Sequence, residues 1–163
     1  MVHIDEGFDF LGFHIRRPRK RGTQKWYVYT RPSRKAIQSI KDKVSEKTYR
    51  STLHQELDEL LRSLGQTLRG WAAFFRYGVS KAIFSAVDYH AWGRLMRWIR
   101  AKYAGRHRLG MKELRRRFCG GGWWPNDGQV VLFNPGSVVT TRYRPRGSTI
   151  PSPWPTPAEA ATA

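Results

Sequence analysis

The sequence predicts a mainly α domain with small β elements: a three-helix bundle that carries an N-terminal β-hairpin and short C-terminal strands. Three observations predict it. Apolar residues recur at helical spacing through two long stretches, residues 53–75 and 83–99. Two runs near the start, "FDFLGFHI" and "WYVYT", are aromatic and β-branched and flank the basic, turn-like segment "RRPRKRG". Seven Trp and an aromatic content of 13% are more than a disordered basic chain holds, so part of these 163 residues buries a core.

Taken in order, residues 8–15 read as one strand, in which Gly12 marks a bulge or a close backbone approach. Residues 26–30 read as its hairpin partner, which puts the basic segment at the tip. Ser33, after Pro32, is an N-cap for a first helix ending within residues 47–49. Ile37, Ile40 and Val44 share one face of it, and Arg34, Lys35, Lys41 and Lys43 the other. Thr52 and Gln55 form a capping box for a second helix that stops at Gly78. Its stripe is Leu53, Leu57, Leu60, Leu61, Leu64, Leu68, Trp71 and Phe75. Gly65 and Gly70 inside it each cost about 1 kcal/mol relative to Ala and are expected to admit a close neighbour.

Ser80 is expected to cap a third helix running to Tyr103, with Ile83, Phe84, Val87, Ala91, Leu95, Trp98 and Ile99 as its stripe. Arg94, Arg97 and Arg100 share another side. A short basic fourth helix spans residues 110–118. Beyond it, "GGGWWPNDG" is turn-rich, "QVVLF" and "SVVTTRY" read as strands around a turn at Asn134, Pro135 and Gly136, and the Pro- and Ala-rich tail reads as disordered. The structural core is expected at Leu64, Leu68, Trp71, Phe75, Phe84 and Trp98. Trp123 and Trp124 could stack on bases or seal a small core; the core reading is favoured, because stacking needs exposure.

Charge bounds the partner. Thirty Lys and Arg face twelve Asp and Glu, for a net charge of +18, which calls for a polyanion. An anionic membrane surface would also attract it, but no apolar run is long enough to span a bilayer, and no membrane partner is expected. Residues 1–10 hold Asp5, Glu6 and Asp9 and do not read as a signal peptide. Cys119 is the single cysteine, which excludes an internal disulfide and fits a reducing compartment; the expected localisation is cytoplasmic, in a bacterium.

No constellation for catalysis stands out. His3, His14, His54, His90 and His107 are scattered without metal-ligand spacing, so no metal and no cofactor is expected. "CGGGWW" is not a phosphate-binding loop. The carboxylates do not cluster as two-metal chemistry requires, and Cys119 has no recognisable base beside it. Five basic clusters remain: Arg16, Arg17, Arg19, Lys20 and Arg21; Arg34 and Lys35; Arg94, Arg97, Arg100 and Lys102; Arg106, Arg108, Lys112, Arg115, Arg116 and Arg117; and Arg142, Arg144 and Arg146. A single cluster would be only a solvated face. Five with so few acids between them indicate nucleic-acid binding.

The succession "FDFLGFHIRR", "PSRKAIQSI", "LRGWAAFFRYG", "FSAVDYHAWGRLMRWIR" and "YRPRGSTIPSPW" resembles group II intron-encoded reverse transcriptase/maturases. The likeness covers the end of the polymerase palm and the maturase-specific region, called domain X or the thumb. It implies four parts: a palm-end hairpin at residues 1–31, a helical domain X at 32–118, a C-terminal extension at 119–154, and a disordered tail at 155–163. It also implies a thumb-like bundle that binds intron RNA, helps it reach a splicing-competent fold, and grips a template–primer duplex. The RNA contacts would come from Arg16, Arg17, Arg19, Lys20, Arg21, Arg34, Lys35, Arg94, Arg97, Arg100, Arg115, Arg116, Arg117, Arg142 and Arg144. The family's Tyr-x-Asp-Asp metal site and its HNH endonuclease array are not seen in the sequence. The expectation is therefore an RNA-binding maturase domain with no catalysis of its own, partnered by group II intron RNA or another structured RNA. The alternatives are a thumb subunit completed in trans by a palm-bearing chain, or a non-functional remnant of a truncated gene.

Overall fold

The computed structural model describes residues 4–19, 22, 24, 26–103, 110–120 and 122–141. A three-stranded antiparallel sheet, in the order β1-β2-β3, precedes the helices. Strand β1 is Phe8–Phe10, β2 is Phe13–Arg16 and β3 is Tyr29–Pro32.

The run "FDFLGFHI", expected as one strand, folds back on itself. Phe10 pairs with Phe13, so Leu11 and Gly12 form a two-residue turn, with φ of 48° and 80°. Positive φ at both positions is the type I′ signature, whose twist matches that of the flanking strands. Gly12 is thus the second turn residue rather than a bulge. Strand β3 begins at Tyr29 rather than Trp26, and Trp26 only bridges to Arg19. Alternation sorts the sheet into an apolar face, with the cross-strand rows Phe8–Ile15–Thr30 and Phe10–Phe13–Pro32, and a polar face with the row Asp9–His14–Arg31.

Helix α1, Arg34–Lys47, starts where expected: the Ala36 amide donates to Ser33 Oγ at 3.2 Å. The Ser33 amide in turn donates to the Gly12 carbonyl at 2.8 Å, which docks the I′ turn on the start of the helix. Helix α2, Leu57–Phe75, starts later than expected, after a single 3₁₀ turn at Arg50–Thr52. The Thr52–Gln55 capping box does not form. The Thr52 hydroxyl donates to the Lys47 and Tyr49 carbonyls and accepts from Trp98 Nε1, so it closes the preceding turn instead. Asp58 and Glu59 in the first turn of α2 complement its dipole.

Helix α3 is Lys81–Tyr103 and α4 is Met111–Phe118. Ser80 lies just before α3, but its hydroxyl does not cap it: it donates to the Phe75 carbonyl at 2.7 Å and ties the end of α2 to the start of α3. The two C-terminal strands do not form among the described residues. Asn126 and Val131 make one isolated bridge, and Pro135–Ser137 is a 3₁₀ turn. The Asp127 carboxylate accepts from the Gln129 and Val130 amides, so those donors serve a turn rather than a ladder. Residues 142–163, including the expected tail, lie outside the described residues.

The core sits between the helices. Leu60, Leu61, Leu64 and Leu68 of α2 meet Val87, Ala91, Leu95 and Trp98 of α3 and Ile40 and Val44 of α1, all buried. A second cluster, Ala72, Phe75 and Phe84, takes Phe13 from the sheet, with the Phe13 and Phe75 rings 4.8 Å apart. Trp71 is partly buried and packs on both clusters. Of the two glycines in α2, only Gly65 is covered, by Phe133; Gly70 faces open space.

Candidate nucleic-acid interface

The helical bundle decides which cations are free. On α3, Arg97 and Arg100 are exposed and, among the described residues, make no hydrogen bond or ion pair. Arg94, one turn earlier, is half-buried and engaged. Its Nε donates to Thr48 Oγ1 at 3.1 Å, and Nη2 to the Ser45 carbonyl at 2.9 Å and the Thr48 carbonyl at 3.3 Å. It therefore neutralises the C-terminal end of α1, where free carbonyls gather negative potential. Lys102 is likewise held inside: its Nζ donates to the Gln55 carbonyl, pairs with Glu56 at 3.4 Å, and lies 5.3 Å from the centre of the Trp98 ring.

Arg34 and Lys35 open α1 as exposed side chains without partners among the described residues. In the hairpin, Arg17 is bound by Asp5 through two hydrogen bonds of 2.8 and 3.1 Å, which hold its guanidinium more firmly charged, and it lies over Trp26. Arg16 Nε donates to the Asp5 carbonyl. Arg19 bridges to Trp26 through the backbone and has further interactions. On α4, Arg116 is highly exposed and 3.8 Å from Glu113, Arg117 is exposed over Phe118, and Arg115 lies 4.4 Å from the centre of the Trp123 ring. Lys20, Arg21, Arg142 and Arg144 lie outside the described residues.

Two residue groups enter that sequence reasoning did not single out. His90 is half-buried on α3 and 3.3 Å from Ser45 Oγ. Burial pushes its pKa down, a hydrogen bond with the Lys41 backbone opposes that, and the charges of Lys41, Arg94 and Arg97 push it down further. Those cations therefore converge from α1 and α3 onto one seam, although Lys41 and Arg97 are 56 positions apart in sequence (97 minus 41). Periodicity within either helix carries no sign of it. Asp88, one turn before Trp92, is half-buried with one carboxylate oxygen lacking a partner, and burial raises its pKa to about 6.

The two loop tryptophans divide. Trp124 is half-buried and packs on the main core, while Trp123 remains 45% exposed and stacks on Trp92, with ring centres 4.9 Å apart and planes 12° from parallel. The Trp92 indole also donates to the Trp123 carbonyl at 2.9 Å. No group of three or more metal-ligating side chains occurs among the described residues, and no described helix is long and apolar enough to cross a membrane.

The apolar face of the sheet is only partly covered. Phe10, Leu11 and Tyr77 are exposed around a cavity of about 340 Å³ whose walls also include Phe13, Ile15 and Phe74. Strand β1 has no partner on its outer edge among the described residues.

A family model described as group II intron, maturase-specific domain matches residues 37–118, just over half of the chain, from within α1 to the end of α4. A search of curated proteins found no match.

Proposed function

We propose, starting from the fact that this chain belongs to the group II intron maturase-specific domain family, that it binds structured group II intron RNA and assists its folding and splicing. Its function is maturase-related, and the matched domain is not a catalytic polymerase domain. The reading that it acts on RNA through its basic faces, without chemistry of its own, is ours.

The observation that supports it most is the pair Arg97 and Arg100. Both are exposed and unpaired among the described residues, one helical turn apart within the matched region. Their helix is held in place by the Arg94 clamp and a leucine-rich core, so they form a rigid cationic rail. A-form duplexes are recognised mainly through backbone shape, phosphates and 2′-hydroxyls, which such a rail suits. Arg34, Lys35, Arg116 and Arg117 extend the positive surface.

Crosslinking the protein to cellular RNA, followed by sequencing, tests this. Enrichment of group II intron sequences is expected. Uniform recovery of all RNA would show that the chain binds RNA without serving introns.

A second reading is favoured by the apolar face of the sheet, only partly covered among the described residues, beside an edge of β1 that has no partner among them. In it the chain acts as the thumb of a reverse transcriptase whose palm packs on that face and is supplied by another chain. Mixing the protein with a palm-bearing chain and assaying DNA synthesis separates the two readings.

A further inference from the structure

On the polar side of the sheet, a cavity of about 610 Å³ opens between the hairpin and the first turns of α1 and α3. Its size is in the range of sites that enclose a small organic ligand. The polar wall is Arg31, Arg34, His14 and Asp9; the apolar wall is Pro32, Ile37 and Ile83. Arg31 and Arg34 are exposed and, among the described residues, have no hydrogen-bond or ion-pair partner. Their guanidinium groups are thus available to an incoming anion.

The histidine and aspartate are placed rather than loose. His14 Nδ1 lies 2.8 Å from Asp9 Oδ1, across the register pair that joins the two residues. Gly7 backs the imidazole: a Cβ built there would fall 2.9 Å from His14 Nε2, and Gly7 has φ of 86°. Any side chain at that position would push the ring out of line. Asp9 keeps its second carboxylate oxygen without a partner among the described residues. The row Asp9–His14–Arg31 therefore presents an acceptor, a ring nitrogen pinned by that acceptor, and a forked donor, side by side on adjacent strands.

An arginine pair beside an apolar wall fits a nucleotide unit better than a bare anion. The guanidinium forks match phosphate oxygens. A base lying flat against Pro32, Ile37 and Ile83 would bury one face on the apolar wall. A carboxylate in the same cavity would repel an isolated phosphate, but it accepts a hydrogen bond from a sugar hydroxyl. We propose that this cavity holds one unpaired ribonucleotide of a bound RNA, with its phosphate on Arg31 and Arg34, its base against Ile37 and Ile83, and its 2′-hydroxyl on Asp9. The proposal rests on the RNA-binding reading above and adds to it a single-strand site distinct from the α3 rail.

The test uses the full chain and three fluorescent probes: a short single-stranded oligoribonucleotide, the matching oligodeoxyribonucleotide, and an RNA duplex of equal charge. Wild-type protein is expected to bind the single-stranded RNA more tightly than the DNA. Arg31→Ala, at a residue outside the α3 rail and its extensions, should weaken single-stranded RNA about tenfold or more, the scale of a lost charge-assisted contact, and leave the duplex nearly unchanged. Ile83→Phe, which fills the apolar wall without altering charge, should also weaken the single-stranded probe selectively. An equal loss for single strand and duplex would overturn the site and reduce the arginines to part of a diffuse field, while leaving the RNA-binding reading intact. Equal affinity for ribo- and deoxyribo-oligonucleotides would overturn the assignment of Asp9 to the 2′-hydroxyl. Failure of the wild-type chain to bind any of the RNA probes would remove the functional reading itself, and this site with it.

Discussion

The guanidinium of Arg94 closes the end of α1 at Thr48, with Nε donating to the threonine hydroxyl at 3.1 Å and Nη2 to its carbonyl at 3.3 Å. A helix end exposes carbonyls that lack intrahelical partners, and a half-buried cation there satisfies both hydrogen bonding and the dipole. Thr48 Oγ1 also donates to the Val44 carbonyl at 2.7 Å, so the same hydroxyl links α1 and α3 through one hydrogen-bonded node.

Arg94→Ala is therefore expected to lower stability by about 2 kcal/mol, since hydrogen bonds to charged groups are worth more than neutral ones and the carbonyls left behind are half-buried. Arg94→Lys should recover only part of this, because one ammonium cannot reproduce the fork. Arg97→Ala and Arg100→Ala, at exposed positions, should stay within about 0.5 kcal/mol of wild type. Urea denaturation measures all four. A loss at Arg97 equal to that at Arg94 would contradict the clamp.

The converse holds for RNA. Arg97→Ala/Arg100→Ala should weaken binding to a structured RNA and reduce the slope of log affinity against log salt by about one per phosphate contact removed. Arg116→Ala, whose side chain already lies near Glu113, should change the slope less. Filter binding over a salt series reads both. An unchanged slope in the double variant would move the interface off α3.

Much of this architecture is legible in the sequence because it is written in periodicity. The leucine stripe from Leu57 to Leu68 and the stripe from Phe84 to Ile99 locate α2 and α3 and their mutual core. Ser33 is legible as a cap because its partner, the Ala36 amide, lies three residues away. Thr52 and Ser80 mislead for the same local reason: each reads as a cap, but distant groups claim the hydroxyls, the indole of Trp98 in one case and the end of α2 in the other. The C-terminal runs "QVVLF" and "SVVTTRY" have strand composition, yet packing of Leu132 and Phe133 on the helices and the Asp127 turn take the place of a ladder. The charge seam of Lys41, Arg94 and Arg97 is invisible in sequence, because it exists only where α1 crosses α3.

The I′ turn makes a sharp prediction about two neighbouring residues. Leu11 holds φ of 48° while largely exposed, a left-handed conformation that costs a branched L-residue on the order of 1 kcal/mol. Leu11→Asn installs the Asn-Gly pair favoured in such turns and should raise the melting temperature. Gly12→Ala should lower it, because φ is 80° and the new methyl would sit 3.4 Å from the Phe75 ring. Thermal unfolding by circular dichroism checks both, and a destabilising Leu11→Asn would mean that Leu11 contributes packing that outweighs its backbone strain.

Asp88 gives stability a pH dependence of unusual sign for a carboxylate. Burial holds its folded pKa at about 6, above the usual carboxylate value of 3.8. Between those values the folded state keeps a proton that the unfolded state has released. The contribution of the protonated form is fully present below the unfolded pKa and is lost as pH rises through about 6. Asp88→Asn, which stays neutral throughout, should match wild type in acid and become progressively more stable than wild type toward neutral pH. Melting curves of the two proteins across that range decide it, and a constant gap would show that Asp88 does not titrate on folding.

Cys119 closes the end of α4, 3% exposed, with its amide donating to the Arg115 carbonyl at 2.9 Å. Burial pushes its thiol pKa up, and the nearby Arg115 charge only partly opposes that. The reactive species is the thiolate, so a raised pKa and a closed environment both slow attack on electrophiles. Alkylation of the native protein at neutral pH should therefore be slower than in denaturant by about a hundredfold or more, with the rate set by local opening. Arg115→Ala acts in two directions. It removes the opposing charge, which raises the thiol pKa further, and it takes the cation off the face of Trp123, 4.4 Å away, which loosens the segment that follows Cys119. If opening limits the reaction, the variant should label faster than wild type despite its less acidic thiol. Slower labelling of the variant would show instead that thiolate formation limits the rate and that the Arg115–Trp123–Trp92 stack does not control opening at Cys119.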